Sequence, residues 1–242
     1  MKKLLYLCVD CVLIVVVLVV GMFAFFDGDK NVVMSANSEY NGTIYAGDKT
    51  SSNVSLMVNV YWGTEHLKTM LETFEKYGVK TTFFVGGVWA RDNQELLKSM
   101  HDAGHEIANH GNTHKEHGKL SYQNNLTEIQ TCHEMVKFVL NQDMELFAPP
   151  GGSYNGHTTK AAEFLGYKTI MWTRDTIDWR DKDAELIYQR ATKNLSGGDL
   201  ILMHPTEKTA TILPKILDEI KRLNLRAVTV SETLGLKADN DA

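Results

Sequence analysis

The chain has 242 residues, 43% hydrophobic and 23% charged, the proportions of a chain that buries a core rather than one that stays disordered. Single cores seldom grow past about 250 to 300 residues, so the expected organisation is one domain with appendages. A formal charge of −5 without any run of Lys and Arg excludes the footprint of a nucleic-acid-binding surface.

The first element is the apolar run Leu4 to Phe26, preceded by Lys2 and Lys3, and its length predicts one bilayer-spanning helix. A cleaved signal peptide carries a shorter apolar stretch of about 7 to 15 residues ending in small side chains, whereas this run closes with Phe25, Phe26 and Asp27. The two lysines hold the N-terminal tip in the cytoplasm. The expected localisation is therefore the cell membrane, single-pass, with the rest of the chain on the extracytoplasmic side. Cys8 and Cys11 fall inside this run, which leaves Cys132 alone beyond it, so a disulfide within the domain is impossible. Residues 27–53, rich in Asp, Asn, Ser, Gly and Lys, read as a polar stalk, and the domain proper is expected over 54–242.

From Val54 onward strand-like and helix-like segments alternate. Val54 to Tyr61 reads as a strand, and Leu67, Met70, Leu71, Phe74 and Tyr77 recur at helical spacing until Gly78. Lys80 to Val85 is a strand, Asn93 to Ala103 a helix closed by Gly104, and Glu106 to Asn109 a short strand. A long helix capped by Ser121 carries Leu126, Ile129, Cys132, Val136 and Leu140 on one face, which makes Cys132 a core thiol. Then follow a strand Leu146 to Ala148, a helix to Leu165, a strand Lys168 to Trp172, a helix Ala184 to Asn194, a strand Leu200 to Met203, a helix Ile212 to Leu223 and a last strand Arg226 to Val230. About seven strand-helix units favour a distorted (β/α) barrel, an α/β fold whose chemistry sits at the strand C-termini; an open doubly wound sheet shares the same local signals.

His110 and His114 follow the strand Glu106 to Asn109 in the string Asn-His-Gly-Asn-Thr-His. Two imidazoles four residues apart at a strand end can converge on one ion, with nitrogen donors suited to a divalent metal, zinc first among them. His117 extends the series.

The segments Tyr-Gly-Val-Lys-Thr-Thr-Phe-Phe-Val-Gly-Gly at 77–87, Gly-His-Glu-Ile-Ala-Asn-His-Gly-Asn-Thr-His at 104–114, Pro149-Pro150 with Gly152, Asp175-Thr-Ile-Asp178-Trp179 and Leu202-Met203-His204 together resemble, in order, the motifs of the polysaccharide deacetylase (NodB-homology) family, carbohydrate esterase family 4. The resemblance spans roughly Val54 to Leu234. It implies a metal-dependent hydrolase that removes N-acetyl groups from a cell-wall or surface polysaccharide. It further implies that His110 and His114 are metal ligands, His204 the general acid for the leaving amine, and Asp178 or Asp175 the carboxylate that tunes it. Pro149, Pro150 and Gly152 would form the groove wall, and Trp179 and Leu202 the pocket for the acetyl methyl group. Peptidoglycan N-acetylglucosamine or N-acetylmuramic acid, chitin-like oligomers and other N-acetylated polymers all suit such a groove.

The family's first motif places two adjacent aspartates after the first strand, a base and the third metal ligand, yet Asn59-Val60-Tyr61-Trp62-Gly63 stands here. Aligned on Gly63, Tyr61 takes the position of the base and Trp62 that of the ligand, so both line the groove instead. The arginine that pairs with the base in the family is replaced by Ala148, a loss that fits, since an arginine left without its carboxylate would be an uncompensated charge. Glu65, three residues on, and His117 are the candidate replacement ligands, although an acid in a first helical turn is also what the helix dipole favours. Two readings follow: a deacetylase with weakened or altered catalysis, and a catalytically silent module that binds cell-wall glycan.

Overall fold

The computed structural model describes residues 42–236. The expected anchor over Leu4 to Phe26 lies outside them, and among the described residues no helix is long and apolar enough to cross a membrane.

The chain runs β1 (Thr43–Ile44), β2 (Asn53–Val60), α1 (Thr64–Tyr77), β3 (Thr82–Val85), α2 (Gly87–Asp92), α3 (Gln94–Asp102), β4 (Glu106–Asn109), α4 (Tyr122–Leu140), β5 (Leu146–Phe147), α5 (Gly156–Phe164), β6 (Lys168–Ile170), β7 (Arg174–Asp175), α6 (Ala184–Thr192), β8 (Leu200–Met203), α7 (Glu207–Arg222), β9 (Arg226–Val228) and α8 (Val230–Thr233). Every strand pairing is parallel, in the order β1-β6-β5-β4-β3-β2-β8-β7. β9 lies beside the first residues of β2, with Asn53 opposite Arg226. Among the described residues β1 pairs only with β6 and β7 only with β8, so the sheet is an open parallel half-barrel rather than a closed ring.

Successive side chains of a strand point to opposite faces, and the two cores follow that period. Leu56, Val58, Phe83, Val85, Ile107, Phe147, Ile201 and Met203 belong to the larger cluster, which takes in helix residues such as Leu67, Phe74, Ile129 and Leu213. The intervening Met57, Phe84, Ala108, Leu146, Ala148 and Leu200 form the smaller cluster on the inner face. A sheet buried on both faces explains why its strands read as continuous apolar runs. Cys132 lies in the larger cluster, fully buried, and burial pushes its thiol up to about 12, so it is an inert core residue.

Several expected boundaries shift, each for a local reason. The stalk expected over 27–53 ends sooner, because Thr43 and Ile44 pair with Thr169 and Ile170 and the Gly47 N–H donates to the Gly198 carbonyl at 2.8 Å. The helix expected over Asn93 to Ala103 is present as α3, and a short helix that the periodicity did not indicate, α2, precedes it; the two are separated at Asn93 (φ −130°), whose side-chain amide donates to the Trp89 carbonyl. α7 starts at Glu207, with Thr206 as its cap and Pro214 inside it, rather than at Ile212. The last strand stops at Val228 because Thr229 and Glu232 form a reciprocal capping box that opens α8.

One buried group gives this fold a pH dependence. His105 packs between Phe74 and Phe83, its Nδ1 accepts the Thr81 N–H at 3.2 Å, and burial with nearby Lys80 lowers its pKa to about 4. The unfolded chain takes up this proton below about pH 6.5 while the folded chain refuses it until about pH 4, so stability falls as pH drops through that window. The loss should approach about 3 kcal/mol. Urea unfolding of His105→Gln should show a shallower decline between pH 6.5 and 4 than the native chain, and parallel declines would reject this assignment.

Candidate active site

The site forms where the parallel strands end. His110 follows β4 directly, is almost fully buried, and donates from Nδ1 to the Ala148 carbonyl at 2.7 Å, which fixes the tautomer and leaves Nε2 unprotonated. His114 lies 5.3 Å from it between ring centroids, at a left-handed backbone position (φ 55°). Burial holds His110 well below the ordinary imidazole range, with His114 adding repulsion; burial and then His204 lower His114 as well. Both rings are therefore neutral near pH 7, the state in which imidazole binds metal.

The loop that carries His114 is pinned by two residues that sequence reasoning missed. Glu128 of α4 accepts the N–H groups of Asn112 and Thr113, the Thr113 hydroxyl and the Lys115 ammonium at 2.7–3.1 Å. Burial works against its charge, but the bonds from Thr113 and Lys115 outweigh it and keep its carboxyl below the usual range. Asn109 accepts the Gly111 N–H through its side-chain oxygen and donates to the Ile129 carbonyl. Glu128 was open to notice as an acid beside Ile129 on the apolar stripe of α4.

Across the cleft, Asp178 takes the role that the sequence left open between two aspartates. Its side chain is 0% exposed, and it accepts His204 Nδ1 at 2.8 Å, the His204 N–H at 2.7 Å and the Thr209 hydroxyl at 2.5 Å. Thr209 in turn accepts from the Thr206 hydroxyl that caps α7, so the dyad is anchored in the first turn of that helix. Asp175 instead accepts the Ile177 N–H at 2.8 Å. It braces a turn in which Ile177 holds φ 52°, a costly conformation for a β-branched residue. Trp179 follows Asp178, 56% exposed, with the Arg180 guanidinium 5.9 Å from its ring. Leu202 is buried in β8, opposite Met57 of β2 and Asp175 of β7. The Pro149-Pro150 turn ends at Gly152 (φ 65°), where a Cβ would lie 2.8 Å from the Trp172 ring.

Tyr61 and Trp62 stand between these two halves. The Tyr61 ring lies 4.9 Å from that of His114, while Trp62, 41% exposed, lies parallel to His204 within 6° at 5.5 Å. Gly63 turns the chain into α1 at φ 74°, where a Cβ would meet the Pro205 carbonyl at 2.0 Å.

Among the described residues the site offers two converging imidazoles, one ligand short of the usual catalytic zinc set. Zinc in a catalytic centre takes three protein ligands and one open position, and among the described residues no three His, Cys, Asp or Glu side chains converge on one point. Glu65 is turned outward, its side chain 72% exposed and nearest to His66, as befits a first-turn acid. His117 is fully buried under the loop against Phe147, with Nδ1 donating to Asn125 and Nε2, against Gly111, without a hydrogen-bond partner among the described residues. The donor set stops at His110 and His114. Glu65→Gln should accordingly leave zinc uptake unchanged, measured by equilibrium dialysis, while His110→Ala should abolish what uptake there is; a loss on Glu65→Gln would restore Glu65 as a ligand.

Known proteins resemble this chain in sequence and in fold. A profile for polysaccharide deacetylases matches residues 46–170, just over half of the chain. Protein YlxY of Bacillus subtilis is 35% identical over 191 residues, 79% of this chain and 60% of that one, so the chain spans less than two thirds of that relative. A peptidoglycan-N-acetylglucosamine deacetylase of Bacillus cereus is 33% identical over 174 residues, 69% of this chain and 81% of that one. The crystal structure of a carbohydrate esterase family 4 pseudoenzyme from Bacillus anthracis superposes with a TM-score of 0.77 at 35% identity, over 79% of this chain and 68% of that one. A mutant of that pseudoenzyme with restored enzymatic activity gives the same TM-score at 33% identity, over 79% and 71% of the two chains. With a half-barrel, an ordered motif set and a family profile in agreement, the chain belongs to the polysaccharide deacetylase family.

Proposed function

We propose that this domain engages the N-acetylated glycan of the cell wall, peptidoglycan first, and removes N-acetyl groups from it only weakly. The asymmetry of the cleft carries this reading. On one side His204 is held by Asp178 with Thr209 behind it, a complete arrangement for protonating a departing amine through the ring nitrogen that Asp178 does not occupy. On the other side stand two neutral imidazoles, and among the described residues no carboxylate converges with them on one point. A divalent metal, zinc foremost, would rest on His110 and His114 alone. The Bacillus cereus relative is named for N-acetylglucosamine in peptidoglycan, which supports that polymer as the substrate class.

The silent-module reading has its own observation: Tyr61 and Trp62 lie on the rings of His114 and His204, and the Bacillus anthracis neighbour is a pseudoenzyme. Acetate release from purified peptidoglycan separates the two. Weak deacetylation gives zinc-dependent acetate above a chelated control, lost on His110→Ala; a silent module gives none, with saturable glycan binding intact. The run Leu4 to Phe26 supports a cell-membrane location with the domain outside. Fractionation should find the intact chain in the membrane and open to external protease, whereas a released fragment beginning after Phe26 would show a cleaved leader.

A further inference from the structure

We infer that the free face of the Trp62 indole is a stacking platform for a pyranose ring of an N-acetylhexosamine chain, a binding residue in the place where the family keeps a metal ligand. This rests on the glycan reading above and names the residue that makes the contact.

Exposure alone would say little, since single apolar side chains on a surface are ordinary. Rigid backing sets Trp62 apart. The indole and the His204 imidazole are parallel within 6° with centroids 5.5 Å apart. Carbon atoms in contact sit about 3.5 to 4.0 Å apart, so the two plates are slipped sideways and part of the indole extends beyond the imidazole. The imidazole itself cannot yield, because Asp178 holds both its Nδ1 and the His204 N–H and is gripped in turn by Thr209. The chain beyond Trp62 is equally fixed: Gly63 sits at φ 74° against the Pro205 carbonyl, with no room for a Cβ. A large aromatic plate, 41% exposed, is thus held in one orientation beside the proton-donating dyad. By contrast, exposed Phe138 and Phe164 stand near the C-terminal ends of α4 and α5, at the opposite end of the half-barrel.

The chemistry that suits such a plate is a sugar ring. A pyranose presents a face of C–H bonds whose partial positive charge complements the negative face of the indole. A plate already ordered in the free protein loses little entropy on binding. The stacked sugar would lie next to His204.

The test is a titration of the full chain with the tetramer of N-acetylglucosamine, read by calorimetry and tryptophan fluorescence. Trp62→Ala should weaken binding by about tenfold, the worth of one ring-stacking contact, while Trp62→Phe stays within about threefold of the native chain. Equal affinity in the native chain and a folded Trp62→Ala variant overturns the platform and leaves the glycan reading standing. Tighter binding or increased acetate release in Trp62→Ala makes the indole a lid over His204 and also overturns it. No saturable binding by the native chain defeats both the platform and the glycan reading.

Discussion

Replacing Tyr61 and Trp62 together by aspartate is expected to raise zinc-dependent acetate release from peptidoglycan by about 10²- to 10⁴-fold, the usual worth of a positioned general base. The rest of the frame is already in place: His110 and His114 converge, the Ala148 carbonyl sets the tautomer of the first, and Glu128 fixes the loop of the second. Trp62 is 41% exposed, whereas Tyr61 is half-buried, packed against the larger core cluster and over Gly86, so the change at 61 carries the larger packing cost. The two new carboxylates would stand beside His114 and His204, which those rings now cover. Ala148→Arg is better added as a third step, because Ala148 is fully buried on the inner face and a guanidinium there needs both a path to the cleft and its restored aspartate partner. A folded, zinc-loaded double or triple variant that releases no more acetate than the native chain would contradict this expectation.

The second large effect concerns the opposite wall. In the double aspartate variant, His204→Ala should lower acetate release by about 10²- to 10⁴-fold with zinc content unchanged, since the role proposed for the imidazole is at the leaving nitrogen and not at the ion. Asp178→Asn should also slow the reaction, because the amide can no longer hold Nδ1–H and the His204 N–H with one negative group. Asp175→Asn should leave the rate close to that of its parent, since an asparagine oxygen can still accept the Ile177 N–H. Measuring rate and zinc content on the same preparations separates these roles: parallel losses in both would mean that His204 supports the metal side or the fold.

Much of this was legible in the residues themselves. Period-two and helical spacing located β4, β8 and the long α4, and Ser121 was readable as its cap. The motif string alone points to His110, His114, Asp178, Trp179 and His204. Short elements escaped, because two-residue strands such as β1 and β7 have no period and are defined only by their partners. Direction escaped as well. Whether Glu65 faced the cleft or the solvent depends on how α1 is rotated, and whether His117 pointed at its neighbours or beneath them depends on a loop closed by Asn125 from another element. The pairing of Asp178 with Thr209 joins residues 31 positions apart, which no local pattern encodes.

The cleft keeps the His204–Asp178 pair on one wall, while the other presents two converging imidazoles among the described residues. Zinc titration by calorimetry, comparing the native full chain with the Tyr61→Asp, Trp62→Asp double variant, tests this asymmetry most directly. Removing or restoring one ligand of a zinc site should change affinity by at least about tenfold, so the native chain should bind weakly and the double variant at least that much tighter, one ion per chain. A native chain that already binds one zinc ion tightly, with an affinity the two aspartates do not improve, would contradict it.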